Sequence, residues 1–266
     1  MHEFKNNISS LYNSKNNITN LYKFNKNSEV KILEKLTSDT LIFLNIASHI
    51  IADNNSNIEH CFIQDTKNGS LVFQSCYGTV KRDAHYSNVI LNTGAKKSRT
   101  NIALSLVDPG AVAEAHGLYA LHNDQHHDTL SYIQHDAPHT HSHQLYKGIL
   151  GDESRGVFTG KVRVEKDSQL ITANQLNKNL ILNKKAQANS RPQLEIYADD
   201  VKCAHGSTTG QLSDSELFYF ESRGIRQDRA KLLLARAFAY DVVLKIKDLN
   251  IQSLCKEHLL TKNIVS

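Results

Sequence analysis

Between about residues 40 and 205 the chain consists of short apolar runs separated by polar or glycine-containing turns, without long helical periodicity. The runs read LIFL, LVF, VIL, IALSLV, GLYAL, VFTGKVRV, LIL and LEI. Many short strands joined by short turns are typical of an all-β fold, which is a sandwich, a barrel or a solenoid. The runs that begin at residues 157, 179 and 194 lie at intervals near one solenoid turn, which mildly favours the solenoid.

The pattern becomes helical after Gln211. Ser213 and Glu216 have the spacing of a capping box at the start of a helix, and Gly224 suits the position just after its end. From about residue 227 to 249, apolar residues recur at helical spacing and predict the main C-terminal helix. This apolar stripe consists of Leu232, Ala235, Phe238, Ala239, Val242, Val243 and Ile246.

These patterns divide the chain into three regions. Residues 1–39 are rich in Asn and Lys, and we expect them to be partly disordered or helical. Residues 40–210 are expected to form the β core, and residues 211–266 a C-terminal helical subdomain. The beginning, MHEFKNNISS, lacks the basic and then apolar pattern of a secretory signal, so it gives no indication of export.

Composition excludes several classes of protein. With 40% apolar residues and a mean hydropathy of −0.42, the 266 residues describe a soluble globular protein. The most apolar stretch, residues 40–52, is too short to span a bilayer and contains Asn45 and His49. It is better explained as a buried strand or helix. The net charge is only +4, and no cluster of Lys and Arg with interleaved aromatic residues predicts a nucleic-acid surface.

Cysteine usage and the missing phosphate loop narrow the function further. The 4 cysteines show neither CxxC pairs nor the dense spacing of a disulfide framework, which fits a reducing, cytoplasmic environment. No GxxxxGK[ST] sequence is present, so we do not expect this chain to hydrolyse ATP itself.

One short segment combines metal-ligand residue types at strand spacing. If Val201, Cys203 and His205 lie on a β-strand, all three side chains share one face, because the side-chain period of a strand is two. The Cα atoms of the Cys and His residues are then roughly 6.5 Å apart. A thiolate and an imidazole at that spacing can share an iron or zinc ion. The alternative is a buried thiol and a hydrogen-bonded imidazole with only a structural role.

A run of histidines is the second candidate site. It suggests a different class of function, a metal-dependent hydrolase that uses residues 122–143. On a helix, His122 and His126 would form an i,i+4 pair, whereas on a strand the last three histidines would alternate onto one face. No HExxH motif places a general base beside them, so surface or turn histidines are the simpler interpretation. The run consists of His122, His126, His127, His135, His139, His141 and His143.

Several long segments resemble one known family. They are ADDVKCAHGSTTGQL at 198–212, LFYFESRGI at 217–225, HSHQLYKGILGDESRGVFTGKVRV at 141–164 and NQLNKNLILNKKAQANSRPQLEIYADD at 174–200. Together they resemble the SufD members of the SufB/SufD family, the scaffold proteins of SUF iron–sulfur cluster assembly. The resemblance implies a right-handed parallel β-helix with a C-terminal helical subdomain. SufD-like proteins begin with a longer region, so we expect this chain to be reduced or a fragment.

The resemblance also implies a function. It points to a non-enzymatic scaffold that pairs with a SufB-like subunit through its β-helix and binds neither nucleic acid nor membrane. A transient iron–sulfur cluster forms in the complex, with no cofactor tightly bound to this chain alone. The family role of the histidine at the SufB contact carries onto His205, with Cys203 as its neighbour. A SufC-like ABC ATPase is expected to dock around Leu217, Phe218, Tyr219, Arg223 and Gly224.

Overall fold

A computed structural model describes residues 2–5, 17–262 and 264, with side chains described from residue 17 onward. Strands account for most of this part of the chain, and three helices follow them. The helices are α1 (Asp214–Glu221), α2 (Gln227–Val243) and α3 (Leu249–Thr261). The strands are β1 (His2–Lys5), β2 (Asn17–Phe24), β3 (Glu29–Ser38), β4 (Phe43–Ala52), β5 (Asn57–Thr66), β6 (Leu71–Val80), β7 (His85–Asn92), β8 (Lys97–Leu106), β9 (Val112–Leu121), β10 (His126–His135), β11 (His141–Leu150), β12 (Arg155–Val164), β13 (Ile171–Ile181), β14 (Gln187–Ile196) and β15 (Val201–Gln211).

The strands form two parallel sheets that face each other. The odd-numbered strands make an 8-stranded sheet and the even-numbered strands a 7-stranded sheet. Each turn of the chain therefore adds one strand to each sheet, and the fold is the expected parallel β-helix. The runs at 157, 179 and 194 lie in β12, β13 and β14, which are consecutive strands of alternate sheets. Their intervals are half turns, so our interpretation of them as full turns was wrong.

The space between the two sheets, here called the lumen, is filled by alternate side chains. Along β10, every second residue is buried and the residues between them are partly exposed. This alternation is the strand period with one face packed and the other facing solvent. Along β9 and β11 nearly every residue is buried, since the helices cover the outer face of the odd-numbered sheet.

Most of the turns that lead from the even-numbered to the odd-numbered sheet contain a residue in the left-handed backbone conformation. At the corner from the even- to the odd-numbered sheet, Asn27, Asn55 and Asp83 have φ near +60°, and Gly110 and His139 occupy the same place in later turns. Asn, Asp and Gly tolerate this conformation better than other residues. His139 is therefore a corner residue, as expected for a turn histidine.

The C-terminal helices begin and end largely as the sequence predicts. Ser213 accepts a hydrogen bond from the backbone N–H of Glu216, and the Glu216 side chain accepts one in return, so the capping box is confirmed. Gly224 has φ +77°, but it lies two residues beyond the C-cap Ser222, one position later than predicted. The helix predicted over 227–249 ends earlier, at Val243. Its buried side chains pack, together with those of α3, on the odd-numbered sheet.

The N-terminal region differs from our expectation. Residues 17–38 contain β2 and all of β3, where disorder or a helix was expected, and the backbone of residues 2–5 pairs with β3. Residues 6–16 lie outside the described part. The reason is visible in β2, where Ile18, Tyr22 and Phe24 pack on the lumen core while Thr19, Leu21 and Lys23 on the outward face are exposed. Asn17 and Lys23 occupy outward positions of this strand, where their polar side chains face solvent.

None of the helices in the described residues has both the length and the apolar content needed to cross a bilayer.

Candidate functional site

The β-helix ends in two strands with open edges. In the described part of the chain, β15 pairs only with β13, and β14 pairs only with β12. Each of these last strands therefore has one edge of backbone N–H and C=O groups without a neighbouring strand. Such an edge is a template for pairing with another chain.

Cys203 and His205 lie on β15 at this open end, as the strand spacing predicted. In register, Cys203 is beside Ala173 and His205 is beside Gln175, two residues that point into the lumen. The two side chains therefore share the lumen face of β15. Cys203 is partly buried against the apolar group that includes Val162, whereas His205 is exposed.

The surroundings of the two residues differ in character. Burial raises the pKa of the Cys203 thiol, so the thiol is a weaker nucleophile than an exposed one at neutral pH. Beneath His205, the side-chain amide of Gln175 donates to Gln144 at 3.3 Å, but the buried Gln175 oxygen has no hydrogen-bond partner among the described residues. The imidazole of His205 therefore lies at the rim of a polar part of the lumen, near the side-chain oxygen of Gln175.

The histidine run does not form one site. His127 and His135 point into the lumen, while their neighbour His126 faces outward from the same sheet. His141 and His143 lie on the outer face of β11, and the predicted helical pair of His122 and His126 is not on a helix. Within the described residues, no group of three or more His, Cys, Asp or Glu side chains is arranged to hold a metal ion. The hydrolase interpretation finds no support in this geometry.

The two histidines of the run that point into the lumen are each hydrogen-bonded to two hydroxyl groups. His127 contacts Ser98 at 2.6 Å and Thr129 at 2.9 Å, and His135 contacts Thr140 at 2.7 Å and Ser142 at 2.9 Å. A neutral imidazole suits such a place because one ring nitrogen donates and the other accepts. Burial lowers the pKa of His127 to about 3 and that of His135 to about 4.

Helix α1 has an exposed aromatic face. Phe218 is 70% exposed and Tyr219 is 54% exposed, whereas Leu217 is buried. The guanidinium of Arg223 lies 3.6 Å from the centre of the Tyr219 ring. Of the residues expected to dock an ATPase, Phe218 and Tyr219 are therefore accessible, Tyr219 and Arg223 are in contact, and Leu217 is packed inward. Large exposed aromatic side chains beside an arginine are typical of binding surfaces.

Sequence reasoning missed a charged group in the lumen near the N-terminal end. His60 lies 3.8 Å from the Glu34 carboxylate, and its other ring nitrogen contacts Tyr86 at 2.8 Å. Burial acts to lower the pKa of His60, but contacts with Cys76 and Glu34 outweigh it and raise the pKa to about 10. These residues come from different turns, so no local motif in the sequence predicts the group.

Comparison with known proteins agrees with this architecture. Residues 10–238 match the family model described as SUF system FeS cluster assembly, SufBD core domain. The chain belongs to the SufB/SufD family. It is 35% identical over 222 residues to an iron–sulfur cluster assembly SufBD family protein of Synechocystis sp., a match that covers 84% of this chain. It is also similar to proteins named iron–sulfur cluster assembly protein SufD, with 40% identity over 121 residues in Escherichia coli and 28% over 231 residues in Plasmodium falciparum.

This SufB/SufD chain is shorter than those relatives. The match covers 49% of the Synechocystis protein, 29% of the Escherichia coli protein and 16% of the Plasmodium falciparum protein. The matches cover 46% of this chain for the Escherichia coli protein and 85% for the Plasmodium falciparum protein. The matched part is the β-helix core with part of the helical subdomain.

Proposed function

We propose that this chain is a SufD-like, non-catalytic scaffold subunit of the SUF iron–sulfur cluster assembly complex in the cytoplasm. The observation that carries the proposal is the open end of the β-helix, where two free strand edges flank the lumen rim that presents His205. A scaffold needs surfaces for partners and a ligand for its cargo. Both are supplied by the last strands and the helices after them.

The partner at the open end is a SufB-like subunit. The free edges of β14 and β15 offer backbone hydrogen bonds to a second β-helix that ends in the same way. Pairing there would enclose the lumen rim between two subunits and place His205 at their contact. Transient cluster atoms would then be held by this imidazole together with a ligand from the partner, with Cys203 beside it.

Substitution of His205 tests the ligand role. We expect His205→Ala to leave the fold and the assembly intact, because the side chain is exposed and its loss makes no core cavity. The amount of iron and sulfide bound to the copurified complex of this chain with the SufB-like subunit and the SufC-like ATPase should fall severalfold. His49→Ala is the matched control, since His49 is an exposed histidine on the other sheet and should leave both contents unchanged. Normal iron and sulfide content in the His205 variant contradicts the ligand role.

The second partner is a SufC-like ABC ATPase, which supplies the ATP hydrolysis for which this chain has no phosphate loop. It docks on α1, where Phe218 and Tyr219 provide apolar contact area and Arg223 a directional donor. Alanine at a true anchor should cost about 1 to 3 kcal/mol of binding. Calorimetric titration with the ATPase measures this loss, and circular dichroism shows whether the helix survives.

Phe43→Ala is the matched control for the docking surface. Phe43 is 50% exposed, like the α1 aromatics, but it lies on the outer face of the even-numbered sheet. We expect it to leave ATPase affinity unchanged. If Phe218→Ala, Tyr219→Ala and Arg223→Ala all fold and all bind as tightly as the parent, the ATPase docks elsewhere. If the chain copurifies with neither the SufB-like subunit nor the SufC-like ATPase, the whole proposal is wrong.

A further inference from the structure

Two buried thiols meet where the last helix contacts the β-helix. The Sγ atoms of Cys61 and Cys255 are 3.5 Å apart, although the residues are 194 positions apart in the chain. Cys61 lies on the outer face of β5 and Cys255 on α3, and both side chains are fully buried. They share one apolar group formed by the odd-numbered sheet and the helices.

Polar contacts on both sides of the thiols hold α3 in place. Before the helix, the Glu59 carboxylate accepts the backbone N–H groups of Lys247, at 2.5 Å, and Asp248, at 3.0 Å. Near its end, His258 contacts Thr93 at 2.8 Å. With the helix fixed at both ends, the position of Cys255 opposite Cys61 is determined by the fold rather than by a free side chain.

We propose that Cys61 and Cys255 form a reversible disulfide that locks α3 onto the β-helix. A disulfide has an S–S distance of about 2.05 Å, so the two sulfur atoms need to approach by roughly 1.5 Å, a shift within reach of side-chain and small helix movements. The inference concerns the helical subdomain itself and does not depend on the partners proposed above.

The chemistry is a thiol–disulfide exchange with a small disulfide such as oxidised glutathione. One protein thiolate attacks the glutathione disulfide and releases one reduced glutathione, and the second protein thiolate then displaces the other. The two protein thiols lose two electrons and two protons, and the two glutathione thiolates take up both protons, which leaves one protein disulfide and two reduced glutathione molecules. Dithiothreitol reverses the reaction by the same exchange.

Burial makes this exchange depend on movement of α3. The contact with Cys255 and burial raise the pKa of the Cys61 thiol, so little thiolate is present in the closed state. The reagent reaches the pair only when the helix opens locally. Once formed, the disulfide opposes that same opening. The other two cysteines do not compete for this pair, since Cys76 lies in the lumen beside Tyr86 and Cys203 lies on β15.

Incubation of the purified full chain with oxidised glutathione tests the proposal. After acid quenching and proteolysis without reductant, mass spectrometry should find one cross-linked peptide pair that contains Cys61 and Cys255. The oxidised protein should have a higher thermal midpoint than the reduced protein, and dithiothreitol should restore the lower value. Circular dichroism should show unchanged helix content, which establishes that the bond forms in the folded protein.

Two double variants make the test specific. Cys76→Ser with Cys203→Ser leaves only the proposed pair, and this variant should still form the disulfide and gain thermal stability. Cys61→Ser with Cys203→Ser also leaves two thiols, but these face different parts of the fold and should form no internal disulfide. If Cys61 and Cys255 stay free while the fold is intact, or cross-link only after helix content is lost, the proposal is wrong. Peptide mapping of the unaltered chain decides the question even if a variant fails to fold.

Discussion

Acid should destabilise this β-helix through His127 and His135, the two histidines of β10 that point into the lumen. The unfolded chain binds a proton at each histidine near pH 6.5, whereas in the folded state burial lowers the pKa of His127 to about 3 and of His135 to about 4. Below pH 6.5 the unfolded state therefore takes up more protons than the folded state. The free energy of unfolding falls as pH falls, and the loss continues until the folded-state pKa is reached.

The magnitude follows from the width of that window. Each histidine contributes a slope of at most about 1.4 kcal/mol per pH unit, and between pH 7 and pH 5 the loss integrates to about 2 kcal/mol per histidine. For the two together this is about 4 kcal/mol, a large share of the roughly 5 to 15 kcal/mol by which domains are usually stable. Urea unfolding followed by circular dichroism at pH 5, 6 and 7 measures the change.

A single substitution separates this effect from general acid denaturation. Gln at position 135 can still donate to and accept from the neighbouring hydroxyls, but it does not titrate. We expect His135→Gln to reduce the loss between pH 7 and pH 5 by about 2 kcal/mol, even if it lowers stability at pH 7. His49→Gln is the control, because His49 is exposed on β4, away from His135, and should leave the pH dependence as it is. An unchanged slope in His135→Gln, or an NMR titration that shows His135 protonating near pH 6.5 in the folded protein, would refute the reasoning.

Two further predictions concern buried charges. In the folded protein the pKa of His60 is raised to about 10, so its contribution to stability is complete below pH 6.5 and is lost as pH rises toward 10. Glu34 is one of the groups that raise this pKa, so Glu34→Gln should make the free energy of unfolding fall less steeply between pH 7 and 9. Lys147 is almost fully buried and donates to the Phe238 carbonyl at 2.9 Å and to the exposed Asp241 carboxylate. Urea unfolding should show that Asp241→Ala, which leaves the ammonium unpaired, is more destabilising than Lys147→Met by about 1 to 3 kcal/mol.

The strand period predicted the shared face of Cys203 and His205 and an all-β fold, whereas the choice of a β-helix among the all-β folds came from the family resemblance. The same period explains why the histidine run looked more promising than it is. His126 and His127 are adjacent, so they point to opposite faces of β10, and the corner residue His139 points to neither. Neighbouring histidines on a strand point to opposite faces of the sheet, whereas histidines three or four residues apart on a helix lie side by side on one face.

Other features depend on contacts that no local pattern records. The pairing of Cys61 with Cys255 requires α3 to return to β5 over 194 residues, and the partner of Lys147 is 94 residues away on α2. The strand β2 was missed because it has little covering on its outward side, so its polar residues conceal the alternation. In each case the tertiary arrangement decides which of several locally acceptable structures forms.

The two proposed sites lie on one continuous piece of the chain. β15 ends at Gln211 and α1 begins at Asp214, so two residues separate the strand of His205 from the helix that carries Phe218. One of them, Leu212, packs with the helices on the odd-numbered sheet, which makes the connection part of the packed structure. A movement of α1 imposed by a bound ATPase would therefore act on the last strand first. Since β15 pairs with a neighbour on one edge only in the described structure, it is easier to displace than the doubly paired strands behind it. Under the proposed function, ATP-driven movement and the position of the proposed ligand His205 would therefore be linked most directly at this strand.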